Sequence, residues 1–411
     1  MSSIQGRITN DSNLKIKGTG ALSYDHSYIT GIGDVTFSSS GNIHLQGTYL
    51  YSGNTNVSSG AVTLNNLTIP DSASWTMARG TQMLVNNATV HNLTLETAAT
   101  LANINANGSF TVSGDLEAKP WSTLSFAAGS PSNTTRMTVL GNLTIDNAVL
   151  DVYQGHIPTS GKLGVGYYRL IAYSGTLNGT FGFVDLPQIN GAVSSLQYGA
   201  GSIDLLIEAS GDNSLQYWNG GNGVWDSTTA FWTNDRGAVA DIWGGKIAIF
   251  KDTPTTIGGV IDINGNQSFS GIQFVNDGYI LNGSGSLSLE PGGSEIRVLA
   301  DSATINTEIN GSGSLLKTEA GTLILNGNNS YTGGTTIYSG DVQISSDTSL
   351  GLGGVNLAGG ALTIVDDIAT YRNFDVDQRG TINVTDDNTL TANGVLSGNG
   401  NFLKDGNGRL V

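Results

Sequence analysis

The sequence predicts an all-β fold, a right-handed parallel β-helix (β-solenoid) interrupted by a tryptophan-rich segment. Short alternations of apolar and polar residues recur along the chain, and glycine, asparagine and serine interrupt every candidate helix. Of the 411 residues, 58 are glycine, none is cysteine and only 12% are charged. An ordinary soluble domain carries about 25% charged residues and about 7% glycine. The composition therefore indicates many turns and a surface of serine, threonine and asparagine.

An asparagine-led motif recurs at nearly even intervals along the first half of the chain. Its copies are residues 13–16, 42–45, 66–69, 92–95, 115–118 (a weaker member) and 142–145. Each copy alternates apolar and polar residues, which is typical of a short half-buried strand. The interval between copies leaves room for two further strands and three turns. We interpret one interval as one coil of a solenoid.

The alternation also predicts which side chains of these copies enter the core. Six apolar residues are expected to point inward: Leu67, Ile69, Leu93, Leu95, Leu143 and Ile145. Asparagine at a recurring corner is expected to stack in ladders that satisfy turn backbone. At about 25 residues per coil, the chain would form coils numbering in the mid-to-high teens and a rod on the order of 80 Å.

A second, sharper repeat lies in the second half. Residues 321–342 align without gaps with residues 41–62, at an offset of 280. The start of the same motif returns at an offset of 87, where residues 311–323 match residues 398–410. The positions in register in the first alignment include Gly41, Tyr51, Gly53, Thr55 and Gly60, and those in the second include Gly313, Lys317 and Gly321.

Residues 313–337 closely resemble the passenger-associated strand repeat of Gram-negative autotransporters. The resemblance rests on their glycines and on the pattern Asn-Asn-x-Tyr-x-Gly-x-Thr at 328–335. It implies a β-helical passenger that is secreted through its own C-terminal outer-membrane barrel to the bacterial cell surface. Because the chain stops inside a repeated motif, we expect it to be a piece of a longer protein. We expect the signal peptide, the linking helix and the barrel to lie outside this sequence.

The solenoid rhythm divides the chain into three predicted parts. Residues 1–210 are N-terminal coils, residues 211–252 form a tryptophan-rich junction or insertion, and residues 253–411 form C-terminal coils with the passenger-associated repeats. Four of the six tryptophans fall between Trp218 and Trp243. We expect an aromatic mini-core here, because tryptophan clusters mainly bury area. A sugar platform that uses Asp226 and Asp235 stays open as the alternative.

The charge balance narrows the choice of partners. With 17 basic and 33 acidic residues, the chain lacks the lysine and arginine clusters that grip nucleic acid or anionic membranes. No run of about 20 apolar residues predicts a membrane-spanning helix. We therefore predict no nucleic-acid partner and no membrane insertion. Because the sequence has no cysteine, no calcium-loop motif and no phosphate-loop motif, we also predict no metal and no cofactor.

Few residues of the sequence are arranged as catalytic residues usually are. Its four histidines, His26, His44, His91 and His156, lie outside any catalytic motif. The acidic clusters are Asp366–Asp367, Asp375 with Asp377, and Asp386–Asp387, with Arg372 and Arg379 nearby. Neighbouring residues on a strand point to opposite faces, so an Asp–Asp pair is a poor catalytic dyad. We therefore predict no catalytic residue and no enzyme.

The leading hypothesis is a non-catalytic, surface-exposed passenger fragment that adheres through an extended polar face. Its partner would be a host-surface protein or glycan, or an identical passenger on a neighbouring cell. Two alternatives stay open. One is a polysaccharide lyase or hydrolase that uses the acidic clusters, and the other is an inert stalk that presents a distal domain.

Overall fold

The computed structural model describes residues 2–3, 8–19, 21–24, 29–69, 74–103, 109–128, 136–154, 164–210, 214–233, 239–253 and 257–411. These residues are almost entirely strand and turn, with about 17 turns of parallel β-solenoid. Within them, helix is limited to the 3-10 turn Asp347–Leu350. The predicted fold class and coil number are confirmed.

The chain divides into two compact units, each with its own core. Unit 1 extends to Ile207 and unit 2 from Glu208 to Val411, with Val165–Tyr167 counted in unit 2. The strands that begin before residue 208 are β1 (Ser2–Ser3), β2 (Ile8–Thr9), β3 (Asn13–Gly18), β4 (Leu22–Tyr24), β5 (Ile29–Gly31), β6 (Asp34–Thr48), β7 (Leu50–Tyr51), β8 (Thr55–Thr68), β9 (Trp75–Met77), β10 (Gln82–Val90), β11 (Leu93–Leu95), β12 (Thr100–Asn103), β13 (Ser109–Val112), β14 (Leu116–Ala118), β15 (Thr123–Ala128), β16 (Arg136–Val139), β17 (Leu143–Asp146), β18 (Val149–Gln154), β19 (Gly166–Tyr173), β20 (Leu177–Thr180), β21 (Phe183–Asp185), β22 (Ala192–Gly199) and β23 (Ser202–Ala209).

The strands that begin after residue 208 are β24 (Leu215–Trp218), β25 (Gly223–Trp225), β26 (Trp232–Thr233), β27 (Ala240–Asp241), β28 (Ile247–Phe250), β29 (Gly259–Ile263), β30 (Asn266–Phe269), β31 (Gly271–Phe274), β32 (Tyr279–Asn282), β33 (Ser286–Leu289), β34 (Ser294–Val298), β35 (Ser302–Ile305), β36 (Glu308–Gly311), β37 (Leu315–Thr318), β38 (Thr322–Leu325), β39 (Thr335–Ile337), β40 (Asp341–Ile344), β41 (Val355–Leu357), β42 (Ala361–Ile364), β43 (Ile368–Thr370), β44 (Phe374–Val376), β45 (Arg379–Val384), β46 (Thr389–Ala392), β47 (Leu396–Ser397), β48 (Asn401–Asp405) and β49 (Arg409–Leu410).

Coils of unit 1 contribute strands at up to three successive positions, and most strands pair in parallel with a counterpart one coil later. At the first position, the register runs Leu14, Val35, Thr55, Trp75, Leu93, Leu116, Leu143 and Leu177. The sequence separation between partners is nearly constant as far as Trp75 and then widens steadily from Leu93 to Leu177. The strands that pair at this position nevertheless stay in register.

The even spacing of the first asparagine motifs is not a stacking register, so that part of the repeat prediction is wrong. Ile43 of the second copy pairs with Val62, and Leu67 of the third copy pairs with Ala88. The three copies at 13, 42 and 66 occupy the first, second and third strand positions of their coils. An alternating tetrapeptide fits any of these positions, so its recurrence alone does not reveal the coil length. The copies at 92, 115 and 142 do stack on one another.

The predicted inward residues are confirmed. All six are at most 2% exposed and belong to the continuous core of unit 1. The asparagine ladders are also present, although partly at other positions than predicted. Asn86 Nδ2 donates to Asn65 Oδ1 at 2.7 Å, and Asn87 Nδ2 donates to Asn66 Oδ1 at 2.9 Å.

The corner that precedes the first strand position carries a second ladder, which links side chains to backbone. Asn92 Oδ1 accepts the Asp115 N–H at 2.8 Å, and Asp115 Oδ1 accepts the Asn142 N–H at 2.6 Å. Asn142 Oδ1 then accepts the Thr176 N–H at 3.0 Å. Each corner oxygen thus satisfies a backbone donor of the next coil, so these residues serve the fold.

Unit 2 repeats the architecture around a separate core. Its described strands form an 11-stranded sheet, a 9-stranded sheet and two 3-stranded sheets, each with parallel pairing over most of its length. Its first strands differ: β26 pairs antiparallel with both β24 and β27. This local reversal lies in the tryptophan-rich segment.

Candidate functional site

The tryptophan-rich segment is a buried aromatic cluster. Trp218, Trp225, Trp232 and Trp243 are at most 7% exposed and belong to the core of unit 2. The ring centroids of Trp225 and Trp232 are 4.8 Å apart, and those of Trp232 and Trp243 are 4.5 Å apart. The predicted mini-core is confirmed, whereas its role as a junction stays a prediction.

The sugar-platform alternative is wrong for these four tryptophans, because their rings are buried against one another, mostly edge to face. Asp226 serves the local turn: its Oδ1 accepts the backbone N–H groups of Thr228 and Thr229 at 2.9 and 2.6 Å. These bonds lower the pKa of the Asp226 carboxyl. The other proposed participant, Asp235, lies outside the described residues.

Arg372 is bound to the backbone of a neighbouring coil. Its Nε donates to Asp347 Oδ1 at 2.8 Å, its Nη1 donates to Gly353 O at 2.5 Å, and its Nη2 donates to Gly351 O. Nine per cent of its side chain is exposed. The guanidinium therefore fixes the loop that follows the 3-10 turn, and its donors are not directed at a substrate.

The acidic clusters take part in bonds between and within coils. Asp375 Oδ1 accepts from Ser397 Oγ at 3.0 Å, and Asp377 Oδ2 accepts from Asn356 Nδ2 at 2.7 Å. Asp367 Oδ1 accepts the Thr389 N–H at 2.7 Å. Among the described residues, no group of three or more acidic or histidine side chains is arranged to hold a metal ion.

The histidines are divided between strands and residues outside the description. His26 and His156 fall in stretches that the structure does not describe. His44 is a half-buried residue of β6, opposite Thr63. His91 Nδ1 lies 3.2 Å from Ser113 Oγ, and that hydroxyl also contacts Val90 O at 3.4 Å. The described contacts of His91 include no carboxylate, which a catalytic triad requires.

The two gapless repeat copies make the same internal contacts. Tyr331 Oη lies 2.6 Å from Thr335 Oγ1, and Tyr51 Oη is hydrogen-bonded to Thr55 Oγ1 in the same way. Burial raises the pKa of both tyrosines well above its usual range. The tyrosine of the motif is thus a structural residue that joins a turn to the next strand.

Lys317 is the most unusual charged residue of the repeat, because it is fully buried. Its Nζ donates to the carbonyl oxygens of Thr318, Glu319 and Ser339 at 2.9, 2.9 and 3.1 Å. Burial lowers the pKa of Lys317 to about 7, while nearby carboxylates, with Glu319 first, act in the opposite direction. The ammonium closes a corner of the coil and is not accessible to a ligand.

The lateral surface of unit 1 presents regular columns of polar side chains. One column holds Thr48, Thr68, Thr89, Thr111 and Thr138, each paired with the next across successive coils. Neighbouring parallel strands lie about 4.8 Å apart, so a hydroxyl recurs at that interval. All five side chains are exposed or half-exposed. A second column, at the first strand position, contains Thr36, Asn56, Thr76 and Thr94.

One surface residue was missed at the sequence level. Trp121 is 69% exposed and has a backbone φ of 63°, a region that bulky residues rarely adopt. The available signal was Pro120-Trp121 in a short link between two strands, because proline favours the second position of a turn.

Comparison with known proteins agrees with the repeat geometry. Residues 315–344 match the passenger-associated-transport-repeat family model. Over 298 residues, 66% of its length, the chain is 35% identical to a protein named adhesin BmaC autotransporter from Brucella suis biovar 1 (strain 1330). Both matches support the resemblance of this chain to an autotransporter passenger. The chain spans 9% of the length of that relative. No helix among the described residues is long and apolar enough to cross a membrane.

Proposed function

We propose that this chain is a non-catalytic part of a surface-exposed passenger and mediates adhesion through extended polar faces of its solenoid. The observation that carries the proposal is the column of stacked threonines at 48, 68, 89, 111 and 138. The relative's name, which includes the word adhesin, supports the same function. The partner would be a host-surface protein or glycan, or an identical passenger on a neighbouring cell.

A column of this kind favours distributed binding. Each threonine hydroxyl can donate and accept one or more hydrogen bonds, and each bond adds roughly 0.5–1.5 kcal/mol. Many weak contacts along a rigid surface produce strong overall attachment when both surfaces are multivalent. We infer that the segment acts at the cell surface, after translocation through a barrel encoded elsewhere in the protein.

An adhesion assay tests this function. The chain is displayed on a non-adherent bacterial cell or on beads, and retention is measured on host-cell layers and on a lawn of cells that display the same chain. The parent should adhere to one of the two surfaces. Replacing Thr68, Thr89 and Thr111 together by alanine should reduce retention strongly, whereas each single replacement should reduce it little.

The triple replacement of Thr36, Thr76 and Thr94 is the matched control, because it removes three outward threonines from another column. If the two triple variants lose adhesion equally, the binding face is wrongly assigned. Complete loss after Asp375→Ala alone would indicate a discrete, enzyme-like site, because one carboxylate would then control the function. Failure of the intact chain to adhere to both surfaces would leave the inert stalk as the better explanation.

A further inference from the structure

Three successive turns of unit 1 carry the same conformation with very different residues. The N–H groups of Thr81, Ala99 and Ser122 donate to the carbonyls three residues earlier at 3.1, 2.8 and 3.0 Å. The third residue of each turn has a positive φ: 73° at Gly80, 59° at Ala98 and 63° at Trp121. Glycine suits that position best, and a large side chain there strains the backbone.

Packing does not explain the tryptophan. A Cβ placed at Gly80 meets nothing within 4 Å, so a side chain at this turn position points into open space. The Trp121 indole is accordingly 69% exposed, whereas the other five tryptophans of the chain are at most 7% exposed. A strained residue that contributes an exposed aromatic ring indicates a role in contact with a ligand.

The surface beside Trp121 extends the apolar area. Thr123 pairs with Val149, and Val149 pairs with Phe183, so these three side chains form an outward column over three coils. Phe183 is 57% exposed. We define the Trp121 face as Trp121, Val149, Phe183 and Asp151, the last lying two residues after Val149 on the same strand.

We propose that the Trp121 face binds an uncharged polysaccharide; this inference rests on the adhesive function proposed above and names its ligand. The C–H face of a sugar ring packs on an indole or phenyl ring, and sugar hydroxyls donate to carboxylates. Asp151 Oδ2 already accepts from Ser125 Oγ at 2.7 Å, which holds the carboxylate in place. Asp185 pairs with Asp151 on the next coil and adds a second acceptor.

The charges around the face select among glycans and other ligands. Asp146, Asp151 and Asp185 repel anionic polysaccharides, while Lys119 is neutralised by Glu96 at 2.7 Å. A compact cation needs aromatic rings that converge on one point. Within the described chain, neither Trp121, which lies in the turn of residues 119–122, nor Phe183, which lies on β21, stacks on another ring. An extended, neutral chain fits this arrangement better.

The test measures retention of the whole chain on beads that carry dextran, mannan or xylan, with alginate and poly-lysine beads as charged comparators. We expect retention on at least one neutral polysaccharide and none on alginate. The same polysaccharide in solution should protect the exposed indole from acrylamide quenching. The buried tryptophans give no such change, so the signal reports Trp121 directly.

The decisive variant is Trp121→Gly, which relieves the turn strain while it removes the ring. It should melt at or above the temperature of the parent and bind the polysaccharide roughly tenfold more weakly or worse. Ala98→Gly is the matched control, because it relieves the equivalent turn and leaves the face intact. Its binding should equal that of the parent.

Retention that survives Trp121→Gly, retention on poly-lysine alone, or no retention on any neutral polysaccharide would overturn the proposal. Retention on poly-lysine alone would indicate a basic protein partner. These failures are distinguishable from failure of the adhesive function. A chain that adheres to cells through its threonine column but ignores neutral polysaccharides would refute only the ligand.

Discussion

The aligned repeat copies of the two units share one backbone register around different core residues. In unit 1, Phe37 stacks between Ile16 and Val57. In unit 2, the corresponding Lys317 stacks between Ile296 and Ile337. Both side chains are at most 1% exposed. A phenyl ring and an ammonium therefore occupy equivalent places in equivalent coils.

The difference lies in how each corner satisfies its carbonyl groups. In unit 1, Ser59 Oγ donates to Ser39 O at 3.3 Å. In unit 2, Lys317 Nζ donates to the aligned carbonyl of Glu319. The repeat thus specifies the corner and its glycine, whereas the donor that completes the corner can come from a serine or from a lysine within the core.

The largest expected effect tests the shared corner glycine. Alanine at Gly60 or Gly340 would combine a positive φ of 80° or 68° with overlap of its Cβ and a neighbouring carbonyl, that of Ser39 or Glu319. We expect each variant to lose about 3 kcal/mol or more of unfolding free energy. Urea unfolding followed by circular dichroism measures the loss.

The matched control for this comparison is Gly80→Ala. Gly80 also has a positive φ, of 73°, but no atom lies within 4 Å of the new Cβ. It should lose only about 1 kcal/mol. Equal losses at Gly60 and Gly80 would show that backbone conformation alone, and not close packing of coils, requires the glycine.

A pH-dependent effect should distinguish the two units. Because the native pKa of Lys317 is about 7 and its ordinary value is 10.5, the unfolded chain binds more protons between these pH values. Stability from this group therefore rises with pH in that range, by up to about 1.4 kcal/mol per unit. Lys317→Met should abolish the rise, because methionine does not titrate.

Urea midpoints of the parent and of Lys317→Met at pH 6, 8 and 9.5 provide the measurement. The midpoint of the parent should rise relative to that of the variant as the pH increases. If the urea midpoints of the two proteins changed with pH in the same way, the Lys317 ammonium would have the same pKa in the native and unfolded states. The aligned Phe37 gives unit 1 no corresponding titration.

The smallest effect should be the same in both units. Tyr51→Phe and Tyr331→Phe each remove one buried hydroxyl that is bonded to a threonine four residues later. We expect each to cost about 1 kcal/mol. The urea midpoints of the two variants should shift by similar amounts, and a shift in only one would show that the two copies differ in more than their core residue.

The repeats could be located from the sequence, but the strand position that each copy occupies in its coil could not. Residues 402–405 match residues 315–318, yet β37 belongs to the 11-stranded sheet and β48 to the 9-stranded sheet. Lys404 nevertheless repeats part of the lysine contact, with Nζ donating to Gly406 O at 2.6 Å. The motif therefore encodes a strand and the corner that follows it. It does not determine which strand position of the coil that strand occupies.

The sequence by itself determined the all-β fold, the inward orientation of Leu93 and of the matching residues in the other repeat copies, and the autotransporter repeat. Alternation and turn residues are local properties, and they act within a few positions of each other. Only the tertiary structure decided which copies stack, that Trp225 is buried while Trp121 is exposed, and that Arg372 binds a loop of a neighbouring coil. Those outcomes depend on contacts between residues that lie far apart in the sequence, and local alternation and turn residues do not specify which distant residues meet.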